Sequence, residues 1–155
     1  MRIVVILHNI RSLHNVGSIF RTSDGAGVEK IYLSGITPTP LDRFGHYIKE
    51  VEKVALGAER SMPWEKISST ASLLLRLKKE GWKILAIEQA KNSLLYTKKP
   101  KSKKIAVVLG AEVKGLPPSI LKAADTILEI PMLGKKESLN VSVTAGIILF
   151  SLRYN

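Results

Sequence analysis

The sequence predicts an α/β fold, a mostly parallel sheet with helices on both faces, and three observations carry that prediction. Short apolar runs rich in Val and Ile alternate with stretches of helical periodicity. Three of these runs break into a polar turn immediately before a helix-like stretch. No repeat, linker or low-complexity tail interrupts the chain, so residues 1–155 read as a single domain, long enough for a core of its own.

Arg2 to Leu7 is a continuous apolar run, as in a strand covered on both faces, and a polar loop, His8 to His14, follows it. Val16, Ile19, Phe20 and Ser23, with Ala26 beyond, recur at helical spacing up to Gly27. Lys30 to Leu33 reads as a second strand. Between Thr37 and Trp64 the pattern is mixed and punctuated by Pro38, Pro40 and Pro63. Ser69 or Thr70 caps a helix through Leu73, Leu74, Leu77 and Lys78, closed by Gly81. Trp82 to Ile87 is a strand, and Lys98 to Lys104, five lysines in seven residues around Pro100, is a solvated loop. Ile105 to Leu109 is a strand, Pro117 to Ala124 a short helix, Ile127 to Ile130 a strand and Val141 to Tyr154 the closing helix.

Lys and Arg number 24 against 13 Asp and Glu, a net charge of +11. Such an excess favours a polyanionic partner, of which nucleic acid is the commonest. The chain has no cysteine, which excludes disulfides, thiolate metal sites and thiol catalysis. His8, His14 and His46 are too few and too scattered for a metal site, so no metal is expected. No apolar run reaches the length of a membrane span, and Met-Arg with five apolar residues is too short for a signal peptide. A cytoplasmic location with no membrane partner is the expectation.

Three constellations carry the chemistry. In the first, Asn15 stands where a helix N-cap belongs, Gly17 leaves its backbone open to close approach, and Arg21 lies six residues on, interrupting an apolar face beside Phe20. In the second, an apolar strand ends at Gly110, Glu112 sits in the turn, and Gly115 precedes a helix started by Pro117. A phosphate-binding P-loop is a distant alternative here, since Leu116 stands where its lysine would be and no Ser or Thr follows for magnesium. The third runs Ile130-Pro-Met-Leu-Gly-Lys-Lys-Glu-Ser-Leu-Asn-Val-Ser142, in which Ser138 and Asn140 bring a hydroxyl and an amide to a helix start. Leu139 between them either points away from both or packs on a ligand. A loop from a strand end to a helix N-terminus is where α/β proteins bind ligands, because backbone N–H groups converge there.

In order and spacing, these three resemble the motifs of the SpoU family of RNA ribose 2′-O-methyltransferases, within the SPOUT superfamily of α/β-knot enzymes. The matching positions are Asn15, Gly17, Arg21 and Thr22; Gly110, Glu112, Gly115 and Leu116; Ile130, Pro131 and Met132; and Ser138 to Ser142. Ile87-Glu88-Gln89 is a further similar feature, and the resemblance runs from His8 to the C-terminus.

The resemblance implies a C-terminal deep trefoil knot holding S-adenosylmethionine, with Ile87, Gly110, Ile130, Ser138 and Leu139 lining the cofactor pocket. It implies methyl transfer to a ribose 2′-hydroxyl of tRNA or rRNA, with Arg21 central and Asn15, Glu112, Ser138 and Asn140 arranging the site. A guanidinium stays protonated in protein settings, so Arg21 is better suited to clamping a phosphate and stabilising a developing alkoxide than to acting as a base. The resemblance also implies a homodimer with the arginine near the partner's cofactor site; the apolar content of Val143 to Phe150 and of the Asn15 helix suits either a dimer face or plain core. Lys98 to Lys104, Lys135, Lys136, Arg11 and Arg43 are candidate phosphate contacts. Larger family members carry a further RNA-binding domain, absent from this sequence, so recognition is expected from the core, the dimer groove or a helper protein. Two alternatives are a catalytically inactive RNA-binding protein of the same fold and a knot enzyme that methylates a base nitrogen.

Overall fold

The computed structural model describes residues 1–154, which form one seven-stranded sheet with helices on both faces. In chain order the elements are β1 (Arg2–His8), α1 (Leu13–Gly25), β2 (Lys30–Ser34), α2 (Lys49–Ala55), α3 (Ala58–Ser61), β3 (Trp64–Ile67) and α4 (Thr70–Lys79). They continue with β4 (Lys83–Ile87), β5 (Leu94–Leu95), β6 (Lys104–Leu109), α5 (Pro118–Ala123), β7 (Thr126–Glu129) and α6 (Val141–Tyr154). The sheet order is β3-β2-β1-β6-β4-β7-β5, and every pairing is parallel.

The continuous apolar strands lie at the centre because both of their faces are covered. Ile3, Val5 and Leu7 of β1, with Ile105, Val107 and Leu109 of β6, pack beneath α1, α2 and α6. The alternate residues, Val4, Ile6, Ala106 and Val108, face α4 and α5. Phe20 is fully buried in the first layer, and truncating it to Ala is worth about 3–5 kcal/mol. A Cβ on Gly17 would approach the Val51 carbonyl oxygen to 2.8 Å, so this glycine serves the close packing of α1 on α2.

Ser69 caps α4 as expected, accepting from the Ser72 N–H, and Gly81 closes it at φ +84°. Two strands escape the sequence pattern. β5 is only two residues long, and β3 alternates too weakly, with no fully buried position. The mixed region after Thr37 forms the short helices α2 and α3, too short to show a periodic face.

The path through the last strands places a chain crossing at the future site. β7 lies between β4 and β5, although those two are consecutive in sequence. Ile87 and Leu94 flank the same residue, Leu128, so residues 88–93 cross one face of β7 to connect its neighbours. The chain leaving β7 then runs past that connection to reach α6, which packs on α1.

Candidate functional site

The C-terminal ends of β4, β6 and β7 open into a cleft of about 490 Å³, a size suited to a nucleoside-bearing ligand. Its walls are the end of β4, the loop 110–116 and the long loop 130–140 that leads into α6. All five residues expected to line a cofactor pocket are there: Ile87, Gly110, Ile130, Ser138 and Leu139, with Glu112 beside them. Leu139 is 38% exposed and faces the cleft with Ser138, so it is a wall residue rather than one turned away.

Asn15 corrects its expected role. The N-cap of α1 is Ser12, whose hydroxyl accepts from the Asn15 backbone N–H at 3.1 Å. Because Ser12 supplies the cap, the Asn15 carboxamide is left to bridge. Its Nδ2 donates to Glu112 Oε1 at 3.0 Å, and its Oδ1 accepts from Asn140 Nδ2 at 3.1 Å. Asn140 is itself the cap of α6, its Oδ1 accepting from the Ser142 N–H at 2.8 Å and from the Ser142 hydroxyl at 2.6 Å. Three residues spread over 125 positions of sequence thus tie the starts of α1 and α6 to the loop after β6. Asn15 is buried, which raises the cost of breaking either bond.

Gly110 also has a reason of its own. A Cβ there would stand 2.7 Å from the Gly115 carbonyl carbon and 2.8 Å from the Leu116 nitrogen. The loop folds back through the Ala111–Gly115 bridge, and that return, before any ligand, excludes a side chain at 110. Glu88 holds the same loop from the other wall. Its carboxylate accepts from Leu116 N–H at 3.0 Å and Gln89 N–H at 2.9 Å and lies against Gly115, whose φ is +63°. Gln89 Nε2 donates to the Glu137 carbonyl at 2.6 Å, joining the β4 end to the long loop. Sequence reasoning assigns Glu88 no role beyond its place in a motif; a carboxylate at the end of an otherwise apolar strand is the available signal.

The cleft is acidic within a strongly basic chain. Glu88, Glu112, Glu129 and Glu137 line it, with Lys114 the only cation among its lining residues. Beside it, the half-buried His8 at the end of β1 is held neutral by burial, which pushes its imidazole below the ordinary value of 6.5.

Arg21 is not part of this arrangement. It does not line the cleft, it is exposed, and it forms no ion pair among the described residues. Six residues of helix place it about 120° around α1 from Asn15. It therefore stands off the apolar face on which the sequence placed it, on the side of Gly25, which meets the exposed Phe150 of α6.

The candidate phosphate contacts separate likewise. Lys135 and Lys136 belong to the loop 130–140, and Arg11 follows β1 at the same end of the sheet. Lys98 to Lys104 descends to the start of β6, at the opposite end. Lys99 there is spent on structure, donating to the Ser151 and Leu152 carbonyls of the last turn of α6 at 2.7 and 3.0 Å.

A parallel sheet with a nucleoside-sized cleft at a chain crossing places the molecule among the α/β proteins that bind ligands at strand C-termini. Within that class, residues 2–150 match the model of the SpoU rRNA Methylase family, and the chain belongs to that family. The tRNA (guanosine(18)-2′-O)-methyltransferase of Aquifex aeolicus is 32% identical over 148 residues, covering 96% of this chain and 67% of that protein. The 23S rRNA (guanosine-2′-O-)-methyltransferase RlmB of Escherichia coli K12 is 33% identical over 147 residues, 95% of this chain and 58% of that protein. The AdoMet-bound rRNA methyltransferase from Sinorhizobium meliloti superposes with a TM-score of 0.87 at 28% identity, over 98% of this chain and 56% of that one. The chain thus spans little more than half the length of the latter two.

Proposed function

We propose that the chain is an S-adenosylmethionine-dependent RNA methyltransferase acting on a ribose 2′-hydroxyl of tRNA or rRNA, and that it works as a homodimer. The observation that carries this reading is the convergence of Asn15, Glu112 and Asn140 on an acidic cleft lined by Ile87, Gly110, Ile130, Ser138 and Leu139. Relatives named as 2′-O-methyltransferases of tRNA and rRNA support it.

S-adenosylmethionine, when bound, supplies a methyl group on a cationic sulfur, and a cleft with four carboxylates and one lysine suits a cation. Ile87, Ile130 and Leu139 offer apolar surface to the adenine. Displacement at the methyl needs oxygen, carbon and sulfur in line, and the Asn15–Glu112–Asn140 bonds fix the walls that set that line. Arg21, always charged, holds the phosphate next to the target ribose and stabilises the developing alkoxide.

Arg21 reaches a cleft by dimerisation. Val143, Phe150 and Tyr154 fall on one stripe of α6 and are 49%, 40% and 80% exposed, with Phe150 and Tyr154 stacked at 6.1 Å. That apolar stripe adjoins the Arg21 side of α1 and is suited to a two-fold contact that carries each arginine to the other subunit's cleft.

The test combines labelled S-adenosylmethionine, unmodified tRNA and rRNA transcripts and nucleoside analysis of the product. Label is expected in a 2′-O-methyl nucleoside with the wild type and not with Arg21→Ala or Asn15→Ala. Co-refolding the two inactive variants is expected to restore about a quarter of wild-type activity, since half of randomly formed dimers are mixed and each has one intact site. No restoration would place Arg21 in its own subunit's site. Failure to bind S-adenosylmethionine would overturn the enzyme reading.

A further inference from the structure

The strands begin at an end of the molecule that the proposed reaction does not use, and charge is concentrated there. β1, β2, β4 and β6 each start with a cation: Arg2, Lys30, Lys83 and Lys104. The last turn of α4 adds three more, and residues 99–103 a further three. These ten face five carboxylates, Asp24, Glu29, Glu65, Glu80 and Asp125, and four of the ten are ion-paired: Arg2 with Glu29, Lys30 and Arg76 with Glu65, and Lys78 with Asp125. By contrast, the loops leaving the strands (9–12, 35–48, 68–69, 88–93, 110–117 and 130–140) hold six cations against four carboxylates.

The surface is also shaped. On the α4 side of the sheet a cleft of about 540 Å³ is walled by Trp82 and Tyr32 and rimmed by Arg2, Lys30 and Lys104, with Glu29 and Glu80 also lining it. Each ring carries two cations: Arg2 and Lys104 at 5.3 and 5.8 Å from Trp82, Lys30 and Arg76 at 5.1 and 5.6 Å from Tyr32. Lys104 Nζ also donates to the Glu80 carbonyl at 2.9 Å, which fixes the side chain without neutralising it. Fixed cations lose less entropy when an anion arrives. Lys83, Lys101 and Lys103 are exposed and form no ion pair among the described residues.

We propose that this end of the sheet is a second RNA contact surface, which holds backbone phosphates of a segment remote from the target nucleotide. The proposal rests on the reading above that the substrate is RNA. Trp82 and Tyr32 are 6% and 7% exposed and overlaid by cations, so bases cannot stack on them. The contact is to phosphate and independent of sequence. Five residue steps of β6 separate Lys104 from Leu109 at the catalytic cleft, roughly 17 Å at the rise of a parallel strand. An RNA must be large and folded to engage both ends, so this surface selects a structured RNA over a short strand carrying the same target. A lipid surface fits less well, because peripheral membrane binding couples cations to protruding apolar side chains, and the aromatics here are recessed.

The experiment measures binding of the full-length protein to a folded tRNA-sized transcript and to a ten-nucleotide single strand across a salt series. Wild type is compared with Lys101→Glu/Lys103→Glu, the milder Lys101→Gln/Lys103→Gln and, at the catalytic end, Lys135→Glu/Lys136→Glu. The first pair is expected to weaken folded-RNA binding about tenfold at moderate salt and to lower the log–log salt slope by about 2, with the Gln pair intermediate. Binding of the short strand and of S-adenosylmethionine should not change. An unchanged slope for the folded RNA in the Lys101/Lys103 variants, with wild type binding normally, would overturn this surface and leave the enzyme reading standing. Preference for anionic vesicles over the transcript would do the same. Wild-type protein that binds no RNA at all would overturn both.

Discussion

The two ends of the parallel sheet are built from the same strands and differ in nearly everything else. The end where strands finish is a cleft with four carboxylates and one lysine, walled by loops that pin one another. The end where strands begin is a net-cationic surface in which lysines and arginines sit on rings, carbonyls and the carboxylates of Glu29, Glu65 and Asp125. One end fixes backbone, and the other fixes charge. A change at the first should therefore reach activity through geometry, whereas a change at the second should reach stability or RNA affinity and leave the cleft alone.

The largest expected effect is at Gly110. With backbone atoms at 2.7 and 2.8 Å from any Cβ, Gly110→Ala must displace the loop 111–116, and with it Glu112. Misplacement of about 1 Å costs on the order of 100-fold in rate. Methyl transfer and S-adenosylmethionine affinity should fall together while the far-ultraviolet circular dichroism is unchanged. Wild-type activity in this variant would show that the loop is not the wall described.

A smaller, purely structural effect is expected at the opposite end. Lys99→Met removes a cation and two hydrogen bonds from the last turn of α6 and should cost about 1–2 kcal/mol in denaturant unfolding at constant m. The exposed neighbour change Lys101→Met should stay within about 0.5 kcal/mol. Equal losses at the two positions would mean that Lys99 is no cap.

The same contrast explains what was legible in the sequence. Apolar runs report burial directly, so the central strands and α6 are found from periodicity and cap residues, α6 to the residue. The cleft-lining set was legible only through a family resemblance, because Ile87, Gly110 and Ile130 look locally like strand ends. Asn15 misled: Asn at a helix start is a good cap, but Ser12 three residues earlier is an equally good one, and only tertiary partners reveal which side chain is free. The lysine run is visible in the sequence, but not that it lies at the opposite end of the sheet from Lys135 and Lys136, since sequence distance does not tell which end of a sheet a loop visits.

His8 offers the finest probe, since it adjoins the cleft end and carries no fixed charge. Asn9 Oδ1 accepts from Ile36 N–H, which turns the Asn9 Nδ2 toward His8 Nε2 at 3.2 Å and makes that ring nitrogen an acceptor. Nδ1–H then donates to the Thr70 hydroxyl at 2.8 Å, Thr70 to the Ser34 hydroxyl at 2.7 Å, and Ser34 to the Leu7 carbonyl at 3.2 Å. Every donor in this chain has an acceptor only while the imidazole is neutral; a proton on Nε2 would face the Asn9 N–H. Burial lowers the folded-state value below the ordinary 6.5. In that window the unfolded chain binds the proton and the folded chain does not, so this contribution to stability is complete above the ordinary value and declines as pH falls through the window. Unfolding free energies measured from neutral pH downward should fall for the wild type, and less steeply for His8→Gln. An identical slope in the two proteins would mean that the imidazole titrates as freely folded as unfolded, and that the Asn9–His8–Thr70–Ser34 chain does not hold it neutral.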